Sequence, residues 1–164
     1  MKPVFRKLLP LLIAPAFLLS FTSKPARVDL SGDWKLNESK SELGEFGGRF
    51  AARSIKIEQK EDAITISKTA PTRDGDATTT ETLSFDGKVS ESTAFGNAPK
   101  KSVAKWSDDG QSLGISYTIV FERNGQTSEI KGTETWSLKD GSLSQVTVSS
   151  SSRGENTTKA MYDK

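Results

Sequence analysis

The sequence of 164 residues contains no cysteine and no histidine. Without cysteine there is no disulfide to staple the fold, no thiolate nucleophile and no N-terminal thiol to carry a lipid anchor. Without histidine the commonest general base and the commonest metal ligand are both missing. Serine–histidine triads, cysteine proteases and zinc sites built on His or Cys are therefore excluded together. No basic run carries interleaved aromatics, so we expect no nucleic-acid partner. Nothing in the chain reads as a helical crossover between strands.

What is present begins with an export pattern. Lys2, Arg6 and Lys7 precede a nearly unbroken apolar run from Leu8 to Phe21, broken by Pro10 and Pro15. That run is too short to span a bilayer and has the layout of a secretory signal peptide. We expect residues 1–26 to be that signal and residues 27–164 to be one domain. Lys24 disturbs the small-residue pattern before Ala26, so the cleavage point is not fixed. Loss of Lys2, Arg6 and Lys7 moves the formal charge from +2 to −1, and the pI of 8.8 belongs to the precursor. The mature domain of about 140 residues is long enough to bury roughly two thirds of its unfolded surface. It is expected to be secreted or periplasmic, monomeric, outside the membrane once cleaved, and free of metal and cofactor.

From Ser54 onward the apolar residues recur with period two. Ile55 and Ile57 share a face, as do Ile64 and Ile66, with Glu61-Asp62 turning between them. Leu113, Ile115, Tyr117, Ile119 and Phe121 give the cleanest alternation. Asp86-Gly87, Asp109-Gly110, Asn124-Gly125 and Asp140-Gly141 are hairpin dipeptides. Ser31 to Leu36 reads as the first strand. The Gly-rich segment after it, with Ser39 as a candidate cap and Glu42 three residues on, has room for one or two short helical turns. The fold expected is all-β: an antiparallel up-and-down barrel of about 8–10 strands, with a short helical or irregular segment after strand one. Closure removes edge strands.

Gly32-Asp33-Trp34 on the first strand resembles the Gly-x-Trp signature of the calycin superfamily, the lipocalins and fatty-acid-binding proteins. The stretch Leu30 to Ser39 is similar to the opening of a fatty-acid-binding protein and of lipocalin-like domains of unassigned function in secreted bacterial proteins. Thr158 to Lys164 resembles the family's closing strand, with Tyr162 on its tyrosine. The resemblance implies that Gly32 and Trp34 plug the closed end of the barrel beneath a basic side chain. Arg123, Arg153 and Lys159 are candidates for it, and Lys159 is favoured because it lies on the closing strand. The same alignment puts Ala160 where the family has a carboxylate-binding arginine, so the fold carries over better than the ligand.

The inward face assigned from the alternation includes Ile55, Ile57, Ile64, Ile66, Leu83, Phe85, Phe95, Trp106, Ile115, Tyr117, Ile119, Ile130, Trp136 and Val146. Glu81, Glu91 and Glu134 share those faces. A carboxylate facing a barrel interior is costly unless paired or wetted. Either the cavity holds water or the register is off by one, since a one-residue slip flips every side chain. Candidate ligand contacts are Phe85, Glu91, Trp106, Tyr117, Glu134 and Trp136. The function expected is binding of a small apolar or amphipathic molecule inside the barrel. The alternative is a surface interaction or accessory module with a filled core. An enzyme has the least support: glycosidase-type chemistry needs two carboxyls at a set separation and one raised pKa, and no spacing here sets either. Asp74, Asp76, Asp108 and Asp109 read as solvated turn residues.

Overall fold

The structure is a computed structural model that describes residues 25–44, 51–123 and 125–164, without the side chain of Arg123. The expected signal peptide up to Lys24, Gly47, Gly48 and Asn124 lie outside these residues. Ten strands follow one another: β1 (Gly32–Leu36), β2 (Ser54–Gln59), β3 (Ala63–Thr72), β4 (Gly75–Ser84), β5 (Ser90–Thr93), β6 (Pro99–Trp106), β7 (Ser112–Arg123), β8 (Gln126–Lys139), β9 (Ser142–Ser151) and β10 (Gly154–Asp163). They form one antiparallel sheet in the order β4-β3-β2-β1-β10-β9-β8-β7-β6-β5, in which the first strand joins the last. Among the described residues no helix is long and apolar enough to cross a membrane.

The sheet curls until its two ends meet. β4 and β5 lie against each other without a hydrogen-bonded ladder, so the barrel is nearly closed and keeps one seam. This corrects the hairpin expected at Asp86-Gly87. Asp86 accepts from Ser84 Oγ at 2.6 Å and from the Lys88 backbone N–H at 3.0 Å. These local bonds form a broader turn that carries the chain out of register, and Val89 leaves it 59% exposed.

The short segment after β1 is a 3-10 turn at Glu38–Lys40. Its cap is Asn37, not Ser39: the Asn37 side chain accepts from the Lys40 N–H at 3.1 Å, and Ser39 Oγ donates to that same oxygen. Asn37 Nδ2, Lys40 Nζ and Ser142 Oγ all donate to Asp163. These hydrogen bonds, led by the one from Ser142, hold the Asp163 carboxyl down at about 2. The chain then touches β10 again at Glu42 and Lys159.

The two ends of the barrel differ. Trp34, Ile57, Ile64, Leu83, Trp106, Leu113, Trp136, Leu143 and Tyr162 fill one end with a continuous apolar core. Residues 25–31 cross the outside of that end. Val28 N–H donates to the Gly110 carbonyl at 2.9 Å, and Gln59 bonds the backbone of both Val28 and Leu30. At the other end, inward-facing residues stay accessible. Thr79 is exposed, and Ile130, Thr147, Ser149 and Thr158 are only partly buried. One half is sealed by packed side chains; in the other, inward-facing residues stay accessible to solvent.

Candidate functional site

At the boundary between the two halves sits a layer of polar side chains. Strand pairing fixes which residues form it. Ile66 lies opposite Glu81, Ile55 opposite Lys68, Ile115 opposite Glu134, Tyr117 opposite both Ser102 and Gly132, and Trp136 opposite Gln145. Residues opposite each other share a face, so all of these point inward with the isoleucines.

Two ion pairs organise the layer. Lys68 on β3 reaches across the barrel to Glu134 on β8, with Nζ 2.8 Å from each carboxylate oxygen. Lys100 on β6 meets Glu81 on β4 at 2.7 and 2.9 Å. The second pair spans the seam, so charged side chains connect the sheet where backbone ladders do not. Ser102 Oγ donates to Glu81 at 3.2 Å, and Trp136 Nε1 donates to Glu134 at 3.0 Å. Tyr162 OH lies 3.3 Å from Gln145 Oε1, which extends the network to the closing strand. Lys68 also sits 5.0 Å over the Trp136 ring and Lys100 5.2 Å over the Tyr117 ring, where a desolvated ammonium is attracted by the π face.

Burial opposes ionisation of Glu134. The charges of Lys68 and Lys100, with hydrogen bonds from Lys68 and Gln145, outweigh it and hold the carboxyl below its ordinary value. Burial and the Glu134 charge push the Tyr117 phenol up to about 12, against a hydrogen bond from Ser149. The same two causes raise Tyr162. The layer therefore sets an ionised Glu134 beside two neutral phenols.

Tyr117 lies flat across β8 because residue 132 is glycine. A Cβ there would sit 2.5 Å from the Tyr117 hydroxyl and 2.7 Å from the Val148 carbonyl. No side chain fits without displacing both the Tyr117 ring and the Val148 carbonyl of β9.

Of the candidate contacts, Tyr117, Glu134 and Trp136 come together in this layer. Phe85 and Trp106 do not join them. They pack edge to face at the sealed end, ring centroids 5.7 Å apart, beneath the Arg27 guanidinium 4.6 Å over Phe85. Glu91 is corrected outright. It lies opposite Lys101 on the outer face and pairs with it at 3.3 Å, while Ser90 and Ser92 face inward. Ser-Glu-Ser-Thr offers no apolar residue to mark a face, and the one-residue slip went unopposed. Val146 likewise points outward, opposite Lys159 and Thr135, and Gln145 takes the inner position. Phe95 leaves the sheet altogether in a 3-10 turn, 57% exposed.

Trp34 is buried at the sealed end, with its Nε1 donating to the Leu30 carbonyl at 3.0 Å. The basic group above its ring is Lys164, at 5.0 Å, and not Lys159, which turns outward to Glu42 at 3.2 Å. Gly32 admits this arrangement: a Cβ there would lie 3.1 Å from the Lys164 stem. Sequence reasoning missed Lys68, Lys100 and Gln145. Lys68 follows Ile64 and Ile66 at the same spacing, and that was the available signal. A hollow of about 670 Å³ also lies outside the sealed end, lined by Arg27, Lys60, Glu61, Asp62 and Asp86 among others; no residue of the interior layer lines it.

No protein-family model matches the sequence, and no curated protein matches it. Among solved structures the chain is similar to the zebrafish ileal bile acid-binding protein complexed with cholic acid. The TM-score is 0.56 at 18% identity, over 82% of this chain and 97% of that one. A likeness at that identity speaks for the fold. The nearly closed ten-stranded antiparallel barrel, with its first strand paired to its last and an indole under its sealed end, is the calycin fold.

Proposed function

We propose that this chain is an exported binding protein that holds a small apolar or amphipathic molecule in the open half of its barrel. The observation that carries the reading is the division of the interior. Inward-facing residues of one half are sealed away from water, while those of the other half, among them Thr79, Ile130, Thr147 and Thr158, remain accessible. An apolar group entering the open half meets Ile119, Ile130 and Phe121, and burial of such surface contributes about 25 cal/mol per Å² before the costs of association. A polar end meets the layer of Lys68, Lys100, Glu81, Glu134 and Tyr117.

The structural neighbour's complex with cholic acid supports binding of an amphiphile in a barrel of this kind. Our reading is of binding without chemistry. Glu134 is held ionised by two lysines and so is not poised to donate a proton. Export rests on the charged n-region and the apolar run before Pro25.

Expression with the native leader and N-terminal sequencing of the processed chain tests export, with a start between Thr22 and Arg27 expected. Titration of that processed chain with the neutral fluorescent probe N-phenyl-1-naphthylamine tests binding. Saturable, one-to-one enhancement that a second apolar compound reverses is the expected result. A linear, non-competable signal would contradict the reading.

A further inference from the structure

The interior layer carries charge, and every charge in it is already matched. Each oxygen of Glu134 lies 2.8 Å from Lys68 Nζ, and Lys100 Nζ is as closely held by both oxygens of Glu81. Glu134 has further donors in Trp136 and Gln145, and Glu81 has Ser102. Among the described side chains, Lys68 and Lys100 are the cations at inward-facing strand positions; Arg123, whose side chain is not described, ends β7 on the same register opposite Gln126. Within the layer, a carboxylate that enters the barrel has Lys68 and Lys100 to approach. To use either, it must draw a lysine from its partner, leaving that glutamate buried and uncompensated, with the newcomer's own charge beside it. Breaking a buried pair in this way is strongly unfavourable.

Neutral polar groups are in a different position. Ser92 faces inward opposite Lys100, and its Oγ is buried with no hydrogen-bond partner. A buried polar group without a partner is one that a ligand can satisfy at a gain. Thr147 and Thr158 lie opposite each other on the inner face, Thr147 in register with Glu134, and both are only partly buried. Tyr117 adds a phenol that remains protonated well beyond neutral pH. These are hydroxyls, able to donate to a carbonyl or accept from an alcohol.

We infer that the barrel selects amphiphiles with an uncharged, hydroxyl- or carbonyl-bearing head group over the carboxylate bearing the same tail. This rests on the reading that the open half binds a small molecule, and it adds the chemical class. The apolar wall takes the tail, the hydroxyls take the head, and the two closed ion pairs leave a fixed negative charge without an unmatched partner in the layer.

The test is a matched set of twelve-carbon compounds: dodecanol, monolaurin and laurate. Each is titrated below its aggregation threshold, at neutral pH, against N-phenyl-1-naphthylamine bound to the processed chain. Dodecanol and monolaurin should displace the probe at concentrations on the order of tenfold lower than laurate, the discrimination that one unmatched charge readily supplies. Laurate displacing as well as the alcohols would overturn the head-group inference and leave interior binding standing. No saturable probe binding at all would overturn the underlying reading instead. Glu81→Gln releases Lys100 from its partner and should narrow or reverse the preference; a folded variant with the preference unchanged would refute charge matching as its cause. Should that variant fail to fold, Ser92→Ala in its place should weaken monolaurin and leave laurate unaffected, and equal effects on both would count against the inference.

Discussion

Glu134 shows how one residue ties the barrel together. It accepts from Lys68 across the interior and from Trp136 on its own strand. Glu134→Gln removes the charge but not the shape, and leaves the Lys68 ammonium in a mostly buried position without a counterion. We expect a loss of about 3 kcal/mol in urea unfolding, the lower end for a broken buried pair because Lys68 keeps some access to water. The double replacement Lys68→Met with Glu134→Leu should recover most of that loss. Because the folded carboxyl titrates below its ordinary 4.5, its contribution is full above that pH and is lost as the pH falls through the lowered value. Tyrosine gives the opposite sign. The chain has only Tyr117 and Tyr162, both raised by burial and by Glu134. Their contribution is full below pH 10 and is lost as the pH rises toward the folded values. Absorbance titration should therefore show no tyrosine ionising near 10 while the chain is folded. A full-amplitude transition there would mean that the phenols are solvated.

At the scale of elements, the close approach of Tyr117 from β7 and of the Val148 carbonyl from β9 to Gly132 on β8 is the most sensitive point. Gly132→Ala drives a methyl into the Tyr117 ring and the Val148 carbonyl. Overpacking of this kind costs about 1–3 kcal/mol, and thermal unfolding should show it. The loss should persist in a Tyr117→Phe background, because the Val148 carbonyl still blocks the methyl. Strand faces were legible where both neighbours gave strong alternation, as in β7, whose Leu113, Ile115 and Ile119 are buried as expected. They were illegible in β9. Ser142 and Ser144 are buried on its outer face while Leu143 is buried on its inner one, and Val146 and Val148 point outward. There hydropathy and direction part company, and no pattern of period two survives to be read. The threonine run divides in the same way. Thr78 and Thr80 form outer hydroxyl pairs with Thr69 and Ser67, whereas Thr79 faces inward.

For the molecule as a whole, composition and turn spacing were enough to give an antiparallel barrel of about 8–10 strands and its short post-β1 turn, because hairpin chemistry is local; the count of ten was not fixed by them. The seam between β4 and β5 was not readable from the sequence. Asp86-Gly87 has the chemistry of a hairpin, and only the curvature of the complete sheet decides that the two strands approach without pairing. The interior ion pairs were hidden for a related reason: Lys68 and Glu134 are far apart in sequence and meet only once the barrel has curled. What the fold builds is a sealed half with a charge-matched layer above it and an open half beyond. The most direct test of that division is an amide and side-chain NMR titration of the processed chain with monolaurin. Saturating shifts are expected at Tyr117, Ile130, Thr147 and Thr158, with the outer-face Thr65, Ser67 and Thr82 unmoved. Shifts confined to the outer face, or none that saturate, would contradict that division.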